Sequence, residues 1–169
     1  MVAASDILFN HETNVAPLGL IALNGAEELG QKINAYLVDW AHKGGYDVDT
    51  FLIESECPRF SSGDGKGLIK STVRGRDLFI IVDVGNYHVQ YQMCDQKNAM
   101  SPDDHYQDLK RIIGACASTA HRINVIMPFL YESRQHKRTH RESLDCAMAL
   151  EELVSMGVSN IITFDAHDP

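Results

Sequence analysis

The sequence predicts a three-layer α/β fold built on a mainly parallel sheet. Short β-branched or apolar runs recur at Leu18–Leu23, Asp77–Val84, Arg122–Pro128 and Asn160–Phe164. Stretches with apolar residues every three or four positions lie between them, the spacing of one helical face. The run Asp77–Val84 is apolar at nearly every position, as in a strand covered on both sides. Strands alternating with amphipathic helices build parallel sheets sandwiched between helix layers. The length of 169 residues allows one domain, and 44% hydrophobic residues suffice for a core.

Residues 1–17 show no period and end in Ala16-Pro17, so they are expected to form an N-terminal arm, leaving 18–169 as the domain. Leu18–Leu23 is a strand of buried type, and Asn24-Gly25 turns the chain into a helix. From Ala26 to about His42, the residues Leu29, Ile33, Tyr36, Leu37 and Trp40 share one face, and Gly44-Gly45 stops the pattern. Asp47–Glu54 alternates weakly through Val48, Phe51 and Ile53 and reads as a second strand; Leu68–Ser71 reads as a short third. Asp77–Val84 is expected at the sheet centre. Gly85–Asp103 is expected as a long loop, ending where Ser101 or the aspartates after Pro102 cap a helix striped by Leu109, Ile112, Ile113, Cys116 and Ala120. After the strand Arg122–Pro128, a helix over Ser143–Met156 carries Leu144, Ala147, Met148, Leu150, Leu153 and Val154. Gly157 closes it, and Asn160–Phe164 is the last strand.

The formal net charge of −8 argues against a general nucleic-acid binder, because phosphate backbones are held by clustered Lys and Arg. No apolar run approaches the roughly 20 residues of a membrane span, and the N-terminus lacks the pattern of a signal peptide. Cys57, Cys94, Cys116 and Cys146 are far apart, form no zinc spacing, and are read as reduced thiols of a cytoplasmic protein.

Ligands of parallel α/β sheets gather at the carboxyl ends of the strands, which directs attention to Val84-Gly85-Asn86, to Pro128–Arg141 and to Asp165–Asp168. In Asp165-Ala166-His167, alternate residues of an extended segment point the same way, so a carboxylate and an imidazole converge on one cation of Mg type; a turn with a capping aspartate is the plainer alternative. Between Arg134 and Arg141 stand four of the chain's fifteen cations, suited to a nucleotide polyphosphate or, more plainly, to a solvated loop. Arg59–Gly67 is glycine-rich without P-loop spacing. Phe60 within it either stacks on an aromatic ligand or anchors a hairpin connection. His11, His42, His88, His105 and His121 have no metal-ligand spacing and read as surface or packing residues.

Taken in order, these segments resemble the N-terminal half of ribose-phosphate pyrophosphokinase, the enzyme that makes phosphoribosyl pyrophosphate (PRPP). Asn24-Gly25 through Glu28-Leu29-Gly30-Gln31-Lys32-Ile33 resembles the family's first turn and helix. Arg59-Phe60-Ser61-Ser62-Gly63-Asp64 resembles its F-S-x-x-E loop, and Val73-Arg74-Gly75-Arg76-Asp77 its V-R-G-x-D segment. Val125–Gln135 resembles V-I-P-Y-x-x-Y-A-R-Q, and Ile161–His167 resembles I-T-x-D-L-H. The resemblance implies a phosphoribosyltransferase-like domain and transfer of the β,γ-diphosphoryl group of ATP to ribose 5-phosphate, with AMP leaving. Arg134 and Gln135 would hold ATP, while Phe60 and Asp64 would approach its adenine from a neighbouring subunit of a dimer or hexamer. Asp165 and His167 would help bind Mg2+, with His167 at the reacting phosphates.

This chain departs from the family at His136, where an acidic residue is usual, at Asp64, where glutamate is usual, at Arg141–Leu144, and over Gly85–Ser101. Those departures would also suit a non-catalytic homologue that regulates or scaffolds a synthase. The sequence stops at Pro169, directly after the histidine motif. The family's C-terminal domain, which binds ribose phosphate and PRPP, is therefore expected outside this piece, and the piece alone is expected to be an inactive fragment.

Overall fold

The computed structural model describes residues 16–168; the first fifteen residues of the expected arm, and Pro169, lie outside the described residues. In chain order the elements are β1 (Leu18–Ala22), α1 (Glu27–Lys43), β2 (Ser55–Glu56), β3 (Leu68–Ile69), β4 (Asp77–Ile81), β5 (Gln90–Met93), β6 (Gln96–Ala99), α2 (Pro102–Cys116), β7 (Arg122–Ile126), α3 (Asp145–Ser155) and β8 (Val158–Ile162). The central sheet has the order β1-β4-β7-β8 and is parallel throughout. Its register aligns Leu20 with Phe79 and Phe79 with Asn124.

The period of two along each strand divides the core. Leu18, Leu20, Phe79, Ile81 and Ile126 pack with Ile33, Leu37 and Val38 of α1. Ile21, Leu78, Ile80, Val82, Ile123 and Val125 belong to the second cluster, with Leu109, Ile112 and Ile113 of α2 and Leu153 of α3. The result is the expected three-layer α/β arrangement, with β4 central and Leu78, Ile80 and Ile81 fully buried.

Two helical faces differ from the expectation. Leu29 and Tyr36 of α1 turn outward, because Gly30 occupies the line of closest approach: a Cβ there would lie 2.5 Å from the Cβ of Ala22. On α3, Met148 and Val154 are exposed, while Cys146, Ala149 and Leu153 face inward. Small residues let a helix lie closer to a sheet than the larger residues predicted to face it.

Asp47–Glu54 does not form a strand of its own length. It touches β1 only around Leu52, where Leu20 N donates to Phe51 O and Ile53 N donates to Leu20 O, both at 2.8 Å. Leu68–Ile69 is a strand as expected, paired antiparallel with β2. The expected loop 85–103 contains an antiparallel hairpin, β5–β6, turned at Cys94 and Asp95 with φ of 48° and 62°. The cap of α2 is the expected one: Asp104 N donates to Ser101 Oγ, Ser101 N donates back to Asp104 Oδ2, and Pro102 opens the helix.

Candidate functional site

The strand order reverses around β1, since the segment at Leu52 lies on its far side and β4 on its near side. A ligand crevice is expected at the carboxyl ends there; side chains occupy its β4 side, while a cavity of about 340 Å3 lined by Ala22, Glu27, Gln31 and Leu52–Glu56 opens on the other side of β1. Asn86 Nδ2 donates to Gly25 O at 3.0 Å, and Gly25, at φ +90°, has Asn86 in the way of any Cβ. Buried His105 holds Asn86 from behind: its Nε2 lies 2.8 Å from Asn86 O, which only accepts, so that nitrogen carries the proton.

The neighbouring exits of β7 and β8 are joined to each other. Met127 N donates to Ile162 O, Pro128 O accepts from the amides of Phe164 and Asp165, and Leu130 N donates to Asp165 O at 3.1 Å. This continuation of the parallel pairing sets the basic segment beside Asp165–Asp168. The turn above it is held by Tyr131, which stacks on Tyr106 of α2 at 4.3 Å between centroids and 8° between planes, and donates its hydroxyl to Asp103 at 2.8 Å. Burial and that acidic partner push the Tyr131 hydroxyl above its ordinary range. Glu132 sits at φ +55°, and burial, then Asp145 and Asp103, raise its carboxyl above the usual carboxylate range.

Arg134 is exposed and has no side-chain partner among the described residues. Gln135 is committed to the loop, donating Nε2 to Ser143 O at 2.8 Å. His136 turns inward. Its Nδ1 lies 3.0 Å from Ser133 O and donates to it, while Nε2 faces Asp168 Oδ2 at 3.1 Å without the alignment of a hydrogen bond, and its ring lies 5.6 Å from that of His167. Two of the three strand exits singled out in the sequence thus lie side by side. A cavity of about 190 Å3, lined by Tyr87, Phe129, Tyr131 and Arg134 among others, opens next to it.

Asp165 and His167 are both exposed, and no contact joins their side chains. Among the described residues, no group of three or more His, Cys, Asp or Glu side chains is set to enclose a metal. The exposed Asp165 carboxylate suits Mg2+, which takes oxygen ligands, binds few protein groups and keeps the rest of its octahedron for water and polyphosphate, whereas the imidazole of His167 is a donor this ion takes less readily.

Phe60 and Asp64 sit on a separate loop. Phe60 N donates to Asp64 O at 2.7 Å, Gly63 N donates to Phe60 O, and Ser62 Oγ donates to the Asp64 carboxylate, leaving the Phe60 ring 56% exposed. No hydrogen bond, ion pair or ring contact among the described residues links Phe60 or Asp64 to Arg134, Asp165 or His167. What sequence reasoning missed is the base of this loop, where Arg59 is buried against Asp108 of α2. The available signal was a carboxylate inside the α2 stripe His105, Leu109 and Ile112, since a buried charge requires a partner.

Residues 18–157 match the family described as the N-terminal domain of ribose phosphate pyrophosphokinase. Similar proteins include ribose-phosphate pyrophosphokinase 1 of Schizosaccharomyces pombe, 32% identical over 111 residues, covering 64% of this chain and 24% of the relative. The ribose-phosphate pyrophosphokinase of Chlorobaculum tepidum is 26% identical over 155 residues, covering 90% and 40% respectively. Phosphoribosylpyrophosphate synthetase from Mycobacterium smegmatis shares the fold, with a TM-score of 0.66 at 21% identity over 89% of this chain and 43% of that one. The chain spans less than half the length of each of these relatives.

Proposed function

The chain belongs to the ribose-phosphate pyrophosphokinase family, and from that premise we propose that it is the nucleotide-side part of an enzyme that transfers the β,γ-diphosphoryl group of ATP to ribose 5-phosphate. The observation carrying the proposal is the union of the basic segment with the Asp165–Asp168 strand exit through the β7–β8 extension and the His136–His167 contact. Arg134 grips phosphate oxygens with its free guanidinium fork, and Lys137 and Arg138 add charge nearby. Gln135, with its amide nitrogen already spent on Ser143, keeps its carbonyl oxygen for the nucleotide. Phe60 and Asp64 meet the adenine from a second copy of the chain, in keeping with an exposed aromatic ring and the absence of any link to Arg134 within one copy. Asp165 and His167 would help hold Mg2+, which would neutralise polyphosphate charge during transfer. His167 orients the reacting phosphates from its exposed position. Ribose 5-phosphate is held outside the residues described here, so this chain alone makes no PRPP. The compartment proposed is the cytoplasm, consistent with four free thiols.

The test is calorimetric titration with a non-hydrolysable ATP analogue, with and without Mg2+, on the parent chain and on Arg134→Ala and His167→Ala. Tighter binding with Mg2+, lost at least about tenfold in each variant, is the expected result. Folded protein that binds neither nucleotide nor metal would favour the regulatory reading, which His136 and Asp64 also suit.

A further inference from the structure

Arg59, directly before Phe60, is 6% exposed at its side chain and forks onto Asp108 of α2, itself 5% exposed. Nη1 donates to Oδ1 at 2.6 Å and Nη2 to Oδ2 at 2.9 Å. Asp108 Oδ1 also accepts from Arg111 at 2.6 Å, so one carboxylate anchors two guanidinium groups. On its other side the Arg59 guanidinium lies 5.1 Å from the ring centre of Tyr91 on β5.

The loop is fitted to this clamp. A Cβ on Gly65 would lie 2.6 Å from Arg59 Nη1 and 2.8 Å from Arg111 Nη1, and one on Gly67 would lie 2.5 Å from the Arg111 carbonyl oxygen. The β5–β6 hairpin supports its flank, with Cys94 N donating to Ser61 O at 3.1 Å and Met93 Sδ filling the space beside Gly63. The rigid base contrasts with the free ring of Phe60 at the tip. A bidentate buried ion pair fixes direction as well as distance, adding to the backbone hydrogen bonds within the loop.

We infer that Asp108, acting through Arg59 and Tyr91, is a positioning residue that fixes Phe60 in the orientation that stacks on a nucleotide base held by a second copy of the chain. The inference rests on the proposed role of Phe60 and adds residues to which that proposal gives no part. A residue acting through Phe60 has no effect once Phe60 is gone, whereas a residue that merely stabilises the fold affects binding equally with or without it.

The experiment is a binding cycle with a non-hydrolysable ATP analogue and Mg2+ on the parent chain, Phe60→Ala, Asp108→Asn and the double variant. Tyr91→Leu and Gly65→Ala serve as independent perturbations of the clamp should Asp108→Asn fail to fold, and Asp108→Glu serves as rescue. Phe60→Ala is expected to weaken binding about tenfold, from the loss of one stacked base. Asp108→Asn, or either clamp variant, should weaken it several-fold in the parent and by less than about twofold in the Phe60→Ala background. Asp108→Glu should bind more tightly than Asp108→Asn. If Phe60→Ala binds normally, the reading of Phe60 fails and this inference with it. If Phe60→Ala is weak while the clamp variants bind normally, or lose equally in both backgrounds, only the positioning role is overturned.

Discussion

Replacing Gly30 by alanine separates two opposing effects whose balance the geometry decides. In an exposed helix interior the change stabilises by about 1 kcal/mol, because glycine has more backbone freedom to lose. Here the new Cβ would stand 2.5 Å from the Cβ of Ala22 on β1, against the roughly 3.5–4.0 Å of a carbon–carbon contact. The missing distance of about 1 Å or more must come from moving α1 off the sheet, which loosens Ile33, Leu37 and Val38 from their packing. The Cβ of Ala22 has no rotamer that swings it aside, so the overpacking cost falls in the upper part of its usual range, about 2–3 kcal/mol, and a net loss of about 1–2 kcal/mol is expected. For a domain of this size that lowers Tm by about 2–8 °C. The pair Gly30→Ala with Ala22→Gly restores the space, and after the ~1 kcal/mol cost of glycine in a strand it should be more stable than Gly30→Ala alone. Urea unfolding followed by circular dichroism, on both single variants and the pair, measures the coupling. A Gly30→Ala protein as stable as the parent, or a pair whose losses simply add, would refute the claim that this close approach sets the seat of α1.

Three further outcomes are expected. Ser101→Ala removes the hydroxyl of the α2 capping box and should cost about 1 kcal/mol in chemical unfolding, with Ser101→Asp retaining most of it. Glu132 has a carboxyl raised by burial and by Asp145 and Asp103, so the folded chain binds more protons there than the unfolded chain. Its contribution to stability therefore falls as pH rises from about 4.5, the ordinary glutamate value, through the raised folded value. Glu132→Gln should flatten that fall and be the more stable protein at neutral pH, as read from unfolding midpoints across a pH series. Asp77→Ala strips a buried carboxylate from Arg122 and Asn124 and should cost about 3 kcal/mol in unfolding free energy; a cost below about 1 kcal/mol would show that the pair is dispensable.

The parallel sheet was legible because buried strands carry their signature in every residue, as Asp77–Val84 does. The hairpin β5–β6 was not, for an equally physical reason. Its alternation, half-buried Tyr91 and Met93 against exposed Gln90 and Gln92, lasts only four residues, its partner Gln96–Ala99 has no apolar run, and its turn uses Cys94-Asp95 at positive φ where Asn-Gly would have announced one. The faces of α1 and α3 were legible in part: Ile33, Leu37 and Leu153 pack inward as expected, but Leu29, Tyr36, Met148 and Val154 do not, because periodicity ranks residues by hydrophobicity while the closest approach is decided by small volume at Gly30, Cys146 and Ala149. Among the candidate site residues, Arg134, Asp165 and His167 are singled out by their places after strands. The inward turn of His136 and the commitment of Gln135 to Ser143 depend on how the loop folds back to α3, which no local spacing encodes.

The two halves of the candidate site share one frame. Near its N-terminus, α2 holds Tyr131 through Asp103 and Tyr106, and so steadies the turn that presents Arg134. Just beyond, the same helix holds Arg59 through Asp108, and so the loop that presents Phe60. Phe60 and Arg134 have no link to each other within a copy, yet both are positioned from α2 residues 103–108, just after the Ser101 cap. Fraying at that cap is therefore expected to disturb the proposed phosphate grip and the proposed stacking surface together. Ser101→Ala should accordingly weaken nucleotide binding by more than a substitution of equal or greater stability cost on α1, such as Gly30→Ala, whose helix has no hydrogen bond or ion pair to Phe60 or Arg134 among the described residues.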